Sequence, residues 1–294
     1  MANLGEPGPS PTRRPGAPSH DPPPEPERRA GRNLPAAVAV GVGLAVAVLV
    51  SLLLWRPSFL AVIVVAVCVA TWELVRTIRV TGAHPPLVPL LAGGVAMAVV
   101  AWFWGLEALS LSLLATVLAV LIWRLADGPA GYQQDVTTAT LIAVYVPFLA
   151  GFAALLAAPA DGHWRVLMML AVVVLTDTGG YVAGVFLGRH PMAPVVSPKK
   201  SWEGLAGSLL AAAAGGAVGL PLLFGVAWWW GVLFGLAVAA AAVLGDLAES
   251  LLKRDLGVKD MSGLLPGHGG LMDRLDSILF AAPTAYLLLT VLAG

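Results

Sequence analysis

The residues best suited to chemistry form two short acidic runs, Asp246 to Glu249 and Asp273 to Asp276, each with a spacing of three. On a helix that spacing puts both carboxylates of a run on one face. Ser250 and Lys253 extend the first face, since 246, 249, 250 and 253 fall at i, i+3, i+4 and i+7. Between the runs lies a loop with five glycines and one proline, and the whole stretch from Gly245 to Ser277 also carries Lys253, Arg254, Lys259 and Arg274. Carboxylates that converge with cations on a glycine-rich loop suit a magnesium ion and a polyphosphate, because Mg²⁺ takes a few carboxylate oxygens and completes its shell with phosphate oxygens and water. Asp246 and Asp273 are the leading metal ligands in this reading, with Glu249, Asp276 and Asp177 near enough to help. The metal is Mg²⁺, alone or with a second metal or a monovalent cation. His268, between two glycines, is a candidate to donate to phosphate or protonate a leaving group; a plain loop histidine is the competing reading. For the stretch as a whole the competing reading is a set of salt bridges that holds a loop.

A second group of candidates precedes it. Asp177 stands in the middle of an apolar run, where a carboxylate costs about 2.5–3.5 kcal/mol to insert into a bilayer, and so marks a site unless Thr176 or Thr178 hydrogen-bonds it. Gly180, Gly184 and Gly188 follow as a smooth stripe for helix packing. The next loop contains Ser197-Pro198-Lys199-Lys200-Ser201-Trp202-Glu203-Gly204, whose paired lysines at a helix start suit phosphate oxygens. Alone, a lysine pair in a cytoplasmic loop is a weak signal.

These residues need elements to hold them. The chain is 58% hydrophobic and 12% charged, which predicts an all-α, polytopic membrane protein. Nine spans are expected, near 34–55, 58–78, 86–105, 107–126, 137–158, 165–187, 204–226, 228–250 and 272–292. Residues 1–33, rich in Pro and Arg, read as a disordered cytoplasmic tail without a cleavable signal, residues 34–160 as helical scaffold, and residues 161–294 as the catalytic region. Glu73 and Glu107 lie near span ends, where carboxylates reach water, so neither needs a function; Asp127 and Asp135 are assigned to a loop. With the tail in the cytoplasm, alternation puts fifteen of the 17 basic residues on that side and leaves Arg56 and Arg165 opposite. The protein is therefore expected in the cell membrane with its charged stretch cytoplasmic and its C-terminus on the other side. One cysteine, Cys68, excludes an intramolecular disulfide.

Ser250-Leu251-Leu252-Lys253-Arg254, then Lys259-Asp260, then Pro266-Gly267-His268-Gly269-Gly270 and Asp273-Arg274-Leu275-Asp276 together resemble the signature of phosphatidate cytidylyltransferases, also called CDP-diacylglycerol synthases. Asp177-Thr178-Gly179-Gly180-Tyr181 and the Ser197–Gly204 block are similar to two further blocks of that family. The resemblance runs from about Asp177 to the C-terminus and is weak before it. It implies transfer of a cytidylyl group from CTP to phosphatidic acid, giving CDP-diacylglycerol and pyrophosphate. It also implies Asp246, Asp273, Lys253, Arg274 and His268 as catalytic residues. Lys199, Lys200, Ser197, Arg254, Lys259 and Asp177 are then substrate-binding, with the individual cation roles interchangeable. The implied partners are CTP, phosphatidic acid and membrane lipids, with no nucleic acid, and the glycine-rich spans suit a homodimer. The chemical alternative is a CTP-dependent lipid-alcohol kinase. A CDP-alcohol phosphotransferase lacks its motif here, and a transporter would need a second half that repeats the charged stretch.

Overall fold

The computed structural model describes residues 34–265, 267 and 269–292. The N-terminal tail and His268 lie outside the described residues. Among the described residues nine α-helices follow one another: α1 Leu34–Leu54, α2 Pro57–Ile78, α3 Leu87–Leu125, α4 Tyr132–Ala143, α5 Leu149–Ala157, α6 Gly162–Leu187, α7 Trp202–Phe224, α8 Trp228–Asp255 and α9 Met272–Leu292. Among the described residues seven helical segments are long and apolar enough to cross a membrane, counting Tyr132–Ala157 as one.

The 39 residues of α3 are not one rod. Gly105 has φ 82° and ψ −165°, a conformation outside the helix that residues with a Cβ avoid. The chain reverses there: Gly93 on the first arm lies directly against the Thr116 side chain on the second. The two arms are the two neighbouring spans expected at 86–105 and 107–126. Between α4 and α5 a five-residue π-turn, Val144–Phe148, takes up Pro147, whose missing N–H cannot continue an α-helical ladder.

Without a hydrophobic drive between helices in lipid, close packing rests on small residues. On α6, Gly179 and Gly180 meet Gly207 and Ser208 of α7; Gly216 of α7 meets Gly231 of α8, and Gly235 of α8 meets Ala212 of α7. The glycine stripes are thus used inside the chain. α9 closes on α8 where the Gly245 backbone meets the Asp276 carbonyl.

Two departures from the expected layout bear on the site. Asp135 belongs to the first turn of α4, which starts five residues before the expected span, and it is 3% exposed. There it pairs with buried Arg124 at 2.7 Å and accepts the His84 backbone N–H at 2.5 Å. The loop after α6 contains a small antiparallel hairpin, β1 Pro191–Ala193 and β2 Ser197–Ser201. Prolines 191, 194 and 198 prevent helix here, and Pro194–Val196 form the turn that joins the two strands.

Candidate active site

The charged groups gather where the hairpin before α7 meets α6, α8 and the start of α9, with Asp177 ten residues before the end of α6 and Asp246 nine before the end of α8. Ser201 ends β2 and caps α7: its Oγ accepts the Gly204 N–H at 3.0 Å. Glu203 in the first turn reaches back to accept the amides of Arg189 and His190, both at 3.2 Å, and tethers the other end of the hairpin. The hairpin then carries Lys199 and Lys200 over a cleft of about 320 Å³ between α6, α7 and α8. Asp177, Lys199, Lys200, Asp246 and Ser277 all line it. Lys200 Nζ stands 2.6 Å from Asp246, joining the hairpin to α8. A larger open depression of about 540 Å³ over Pro129–Thr138 has no charged side chain in its lining.

Asp177 is placed for the cleft rather than for its neighbours. The Thr176 hydroxyl donates to the Val172 carbonyl at 2.8 Å, and the Thr176 carbonyl accepts from Ser208 at 2.7 Å, so Thr176 does not hold the carboxylate.

Further along α8 from Asp246 lies a buried set. Lys253 Nζ bonds Glu249 at 2.6 Å and Asp273 at 2.9 Å. Asp273 Oδ2 also accepts the N–H groups of Met261 (3.0 Å) and Gly270 (2.7 Å). Both Asp273 oxygens are therefore engaged within the protein, and Asp273 holds the loop as well as the lysine. Gly269 fits this crossing with φ 78°, and a Cβ there would come 2.8 Å from the Asp273 carboxylate. Glu249 is fully buried; its second oxygen meets no N–H or hydroxyl donor, and the Asp276 carboxyl stands within hydrogen-bond reach of the Glu249 side chain. Asp246 Oδ1 faces Ser250 Oγ at 3.3 Å, as the spacing along the helix predicts. Asp276 accepts the Ser277 amide at 2.6 Å.

Of the remaining expected site residues, Ser197 opens β2, Arg254 is exposed and leans on the Val196 carbonyl at 3.4 Å, and Lys259 is exposed on the loop. Arg274 is exposed in the first turn of α9. Among the described residues no three His, Cys, Asp or Glu side chains are arranged to hold a metal ion by themselves. Magnesium in phosphate-transfer sites takes one or two carboxylates and completes its shell from substrate and water. The donors fit that use: carboxylates outnumber the cations paired with them, and one Glu249 oxygen meets no N–H or hydroxyl donor.

Glu73 was expected to reach water, and that expectation fails. It is 0% exposed and accepts the Leu271 N–H at 3.0 Å, the Met272 N–H at 2.8 Å and the Ser262 hydroxyl at 2.5 Å. Thr77, a turn later on α2, donates to the Met261 carbonyl at 2.7 Å. The one signal in the sequence was that Glu73 lies more than a turn inside an apolar helix. Glu107, by contrast, is exposed as expected.

Residues 35–292 match the cytidylyltransferase family. The chain belongs to that family. It is similar to phosphatidate cytidylyltransferases of Mycobacterium bovis, 41% identical over 277 residues and 90% of each chain, and of Mycobacterium leprae, 42% identical over 281 residues and 90% of each. Similarity to the phosphatidate cytidylyltransferase of Helicobacter pylori is 44% over 142 residues, 47% of this chain and 53% of that one. The chain is accordingly a nucleotidyltransferase.

Proposed function

We propose that the protein transfers CMP from CTP to phosphatidic acid, releasing pyrophosphate and leaving CDP-diacylglycerol in the membrane. The single observation that carries this is the cleft in which Lys200 and Asp246 face each other beside Asp177 and Lys199. Such a place offers a cation to phosphate and a carboxylate to a divalent ion within one small space. The relatives' names point to phosphatidate as the acceptor.

The chemistry asks little of a general base, because the phosphatidate oxygen is already anionic. It attacks the α-phosphorus of CTP, the bond from that phosphorus to the bridging oxygen breaks, and the electron pair leaves on pyrophosphate. The obstacle is repulsion between two anions, so positioned positive charge is the main source of rate. Lys199 and Lys200 hold CTP phosphate oxygens in this reading, and Arg254 and Arg274 take the lipid phosphate. Lys253 sets the Glu249–Asp273 pair beneath them. Asp246 and Asp276 are the carboxylates with oxygens to offer Mg²⁺, Glu249 and Asp177 assist, and Asp273 contributes chiefly by holding the loop. Bound there, Mg²⁺ neutralises phosphate charge and aligns the two substrates. His268 keeps its proposed role toward the leaving group.

The protein sits in this reading in the cell membrane with the cleft facing the cytoplasm, where CTP is. Support comes from the charge asymmetry between loops and from the gathering of the basic loop residues around the cleft end. The test is pyrophosphate release by detergent-purified protein given CTP, Mg²⁺ and phosphatidic acid, with each omitted in turn. Release that needs all three, with CDP-diacylglycerol as product, is the expected result. Phosphorylation of a lipid alcohol with release of CDP would replace this reading with the kinase one.

A further inference from the structure

Helix α9 begins at Met272 and carries Asp273, Arg274 and Asp276 in its first turns, so its N-terminus must be held in place for the site to exist. A helix N-terminus has unpaired amides and a positive dipole end. In a self-contained helix a Ser, Thr, Asp or Asn just before the first turn would serve them, but the residues here are Gly270 and Leu271. The carboxylate comes instead from α2. Glu73 takes the amides of Leu271 and Met272 on its two oxygens and the Ser262 hydroxyl on one of them.

Thr77 grips the same loop at Met261, its single hydroxyl proton shared between the Met261 carbonyl at 2.7 Å and the Glu73 carbonyl at 2.9 Å. Met261 and Met272 both lie in the buried cluster formed by Ala70, Leu74, Ile78 and their neighbours. Gly270 is packed so closely that a Cβ there would come 2.9 Å from the Glu73 carboxylate. From the scaffold half of the chain, α2 thus holds the glycine-rich loop at Met261–Ser262 and again at the start of α9.

We infer that Glu73 is a positioning residue for the transfer reaction: its buried carboxylate caps α9 and holds Ser262, Leu271 and Met272 so that Asp273 and Asp276 face the substrates. The inference rests on the proposed function, because it assigns Glu73 a part in that same site. Glu73 touches no reacting atom. A neutral glutamine keeps the size and one acceptor oxygen but turns an N–H₂ toward donors, which loosens the cap without emptying the space.

The experiment compares the full-length wild type with Glu73→Gln, Glu73→Ala and Ser262→Ala in detergent, by steady-state kinetics and backbone hydrogen exchange. Glu73→Gln should lower kcat about 10–100-fold, as loss of a supporting shell around a site does, with KM for CTP little changed. Exchange should rise in residues 262–272 and stay unchanged in α6 and α7. Glu73→Ala should be more severe, so that glutamine gives partial rescue. Ser262→Ala removes one hydrogen bond at the loop edge and should cost about threefold to tenfold. Wild-type kcat in folded Glu73→Gln, or, if that variant does not fold, in Ser262→Ala, overturns the inference. So does exchange that rises throughout the chain with activity falling only as the folded fraction falls. A wild type that makes no pyrophosphate from CTP and phosphatidic acid refutes the proposed function instead, and local exchange still reports on Glu73.

Discussion

Replacing Asp273 separates its structural bonds from its charge. The side chain is 4% exposed and accepts three bonds, from Lys253 on one oxygen and from Met261 and Gly270 on the other. Asparagine can keep its carbonyl toward the two amides, but its N–H₂ then confronts the Lys253 ammonium. The lost charge-assisted bond is worth about 1.5–3 kcal/mol. Breaking a buried pair outright costs about 3–5 kcal/mol, but Lys253 retains Glu249 at 2.6 Å, so the lower range applies. Alanine removes both acceptor oxygens, and with them all three bonds, and strands two buried amides, adding about 1–3 kcal/mol for each. Unfolding followed by tryptophan fluorescence in detergent should therefore rank wild type above Asp273→Asn, and Asp273→Asn above Asp273→Ala. Asp273→Asn should still insert and purify. Its turnover, measured as pyrophosphate release, should fall at least about 100-fold, equivalent to about 3 kcal/mol of lost transition-state stabilisation. Equal stability of the two variants would refute the bonding argument. Normal turnover in folded Asp273→Asn would refute the placement of this residue in the site.

Other substitutions test other parts of the structure. Lys200→Gln should leave stability within about 1 kcal/mol, because its pair with Asp246 is partly exposed. The same change should raise KM for CTP or lower kcat about tenfold or more in the pyrophosphate assay. Gly207→Leu drives a side chain into the Gly179 backbone and Ala183 of α6, and should greatly reduce the yield of folded protein on size-exclusion chromatography. Gly43→Ala in α1 has nothing within 4 Å of the new Cβ and should be neutral or slightly stabilising in the same measurement. Arg124→Met leaves Asp135 buried without its cation and should cost about 3–5 kcal/mol, read as a lower thermal midpoint.

Much of this arrangement was legible in the chain itself. Apolar runs report helices because a span must satisfy its own backbone in lipid. All nine expected spans have counterparts: α1, α2, the two arms of α3, the α4–α5 segment and α6 to α9. Local spacing was equally informative. Asp246 with Ser250, and Glu249 with Lys253, meet across one turn as the i, i+4 geometry requires. The glycines at 180, 184 and 207 lie at a helix contact, as their small size implied. What no local pattern carries is a contact between distant segments. Glu73 and Met272 are separated by 199 positions, and the place of Glu73 more than a turn inside an apolar helix does not say which distant donors it meets. The difference is decided by how α2 and α9 pack, which buries the carboxylate and brings three donors to it. Asp273 follows the same rule: its type and spacing marked it for the site, but only the folded loop brings Met261 and Gly270 to one of its oxygens and Lys253 to the other.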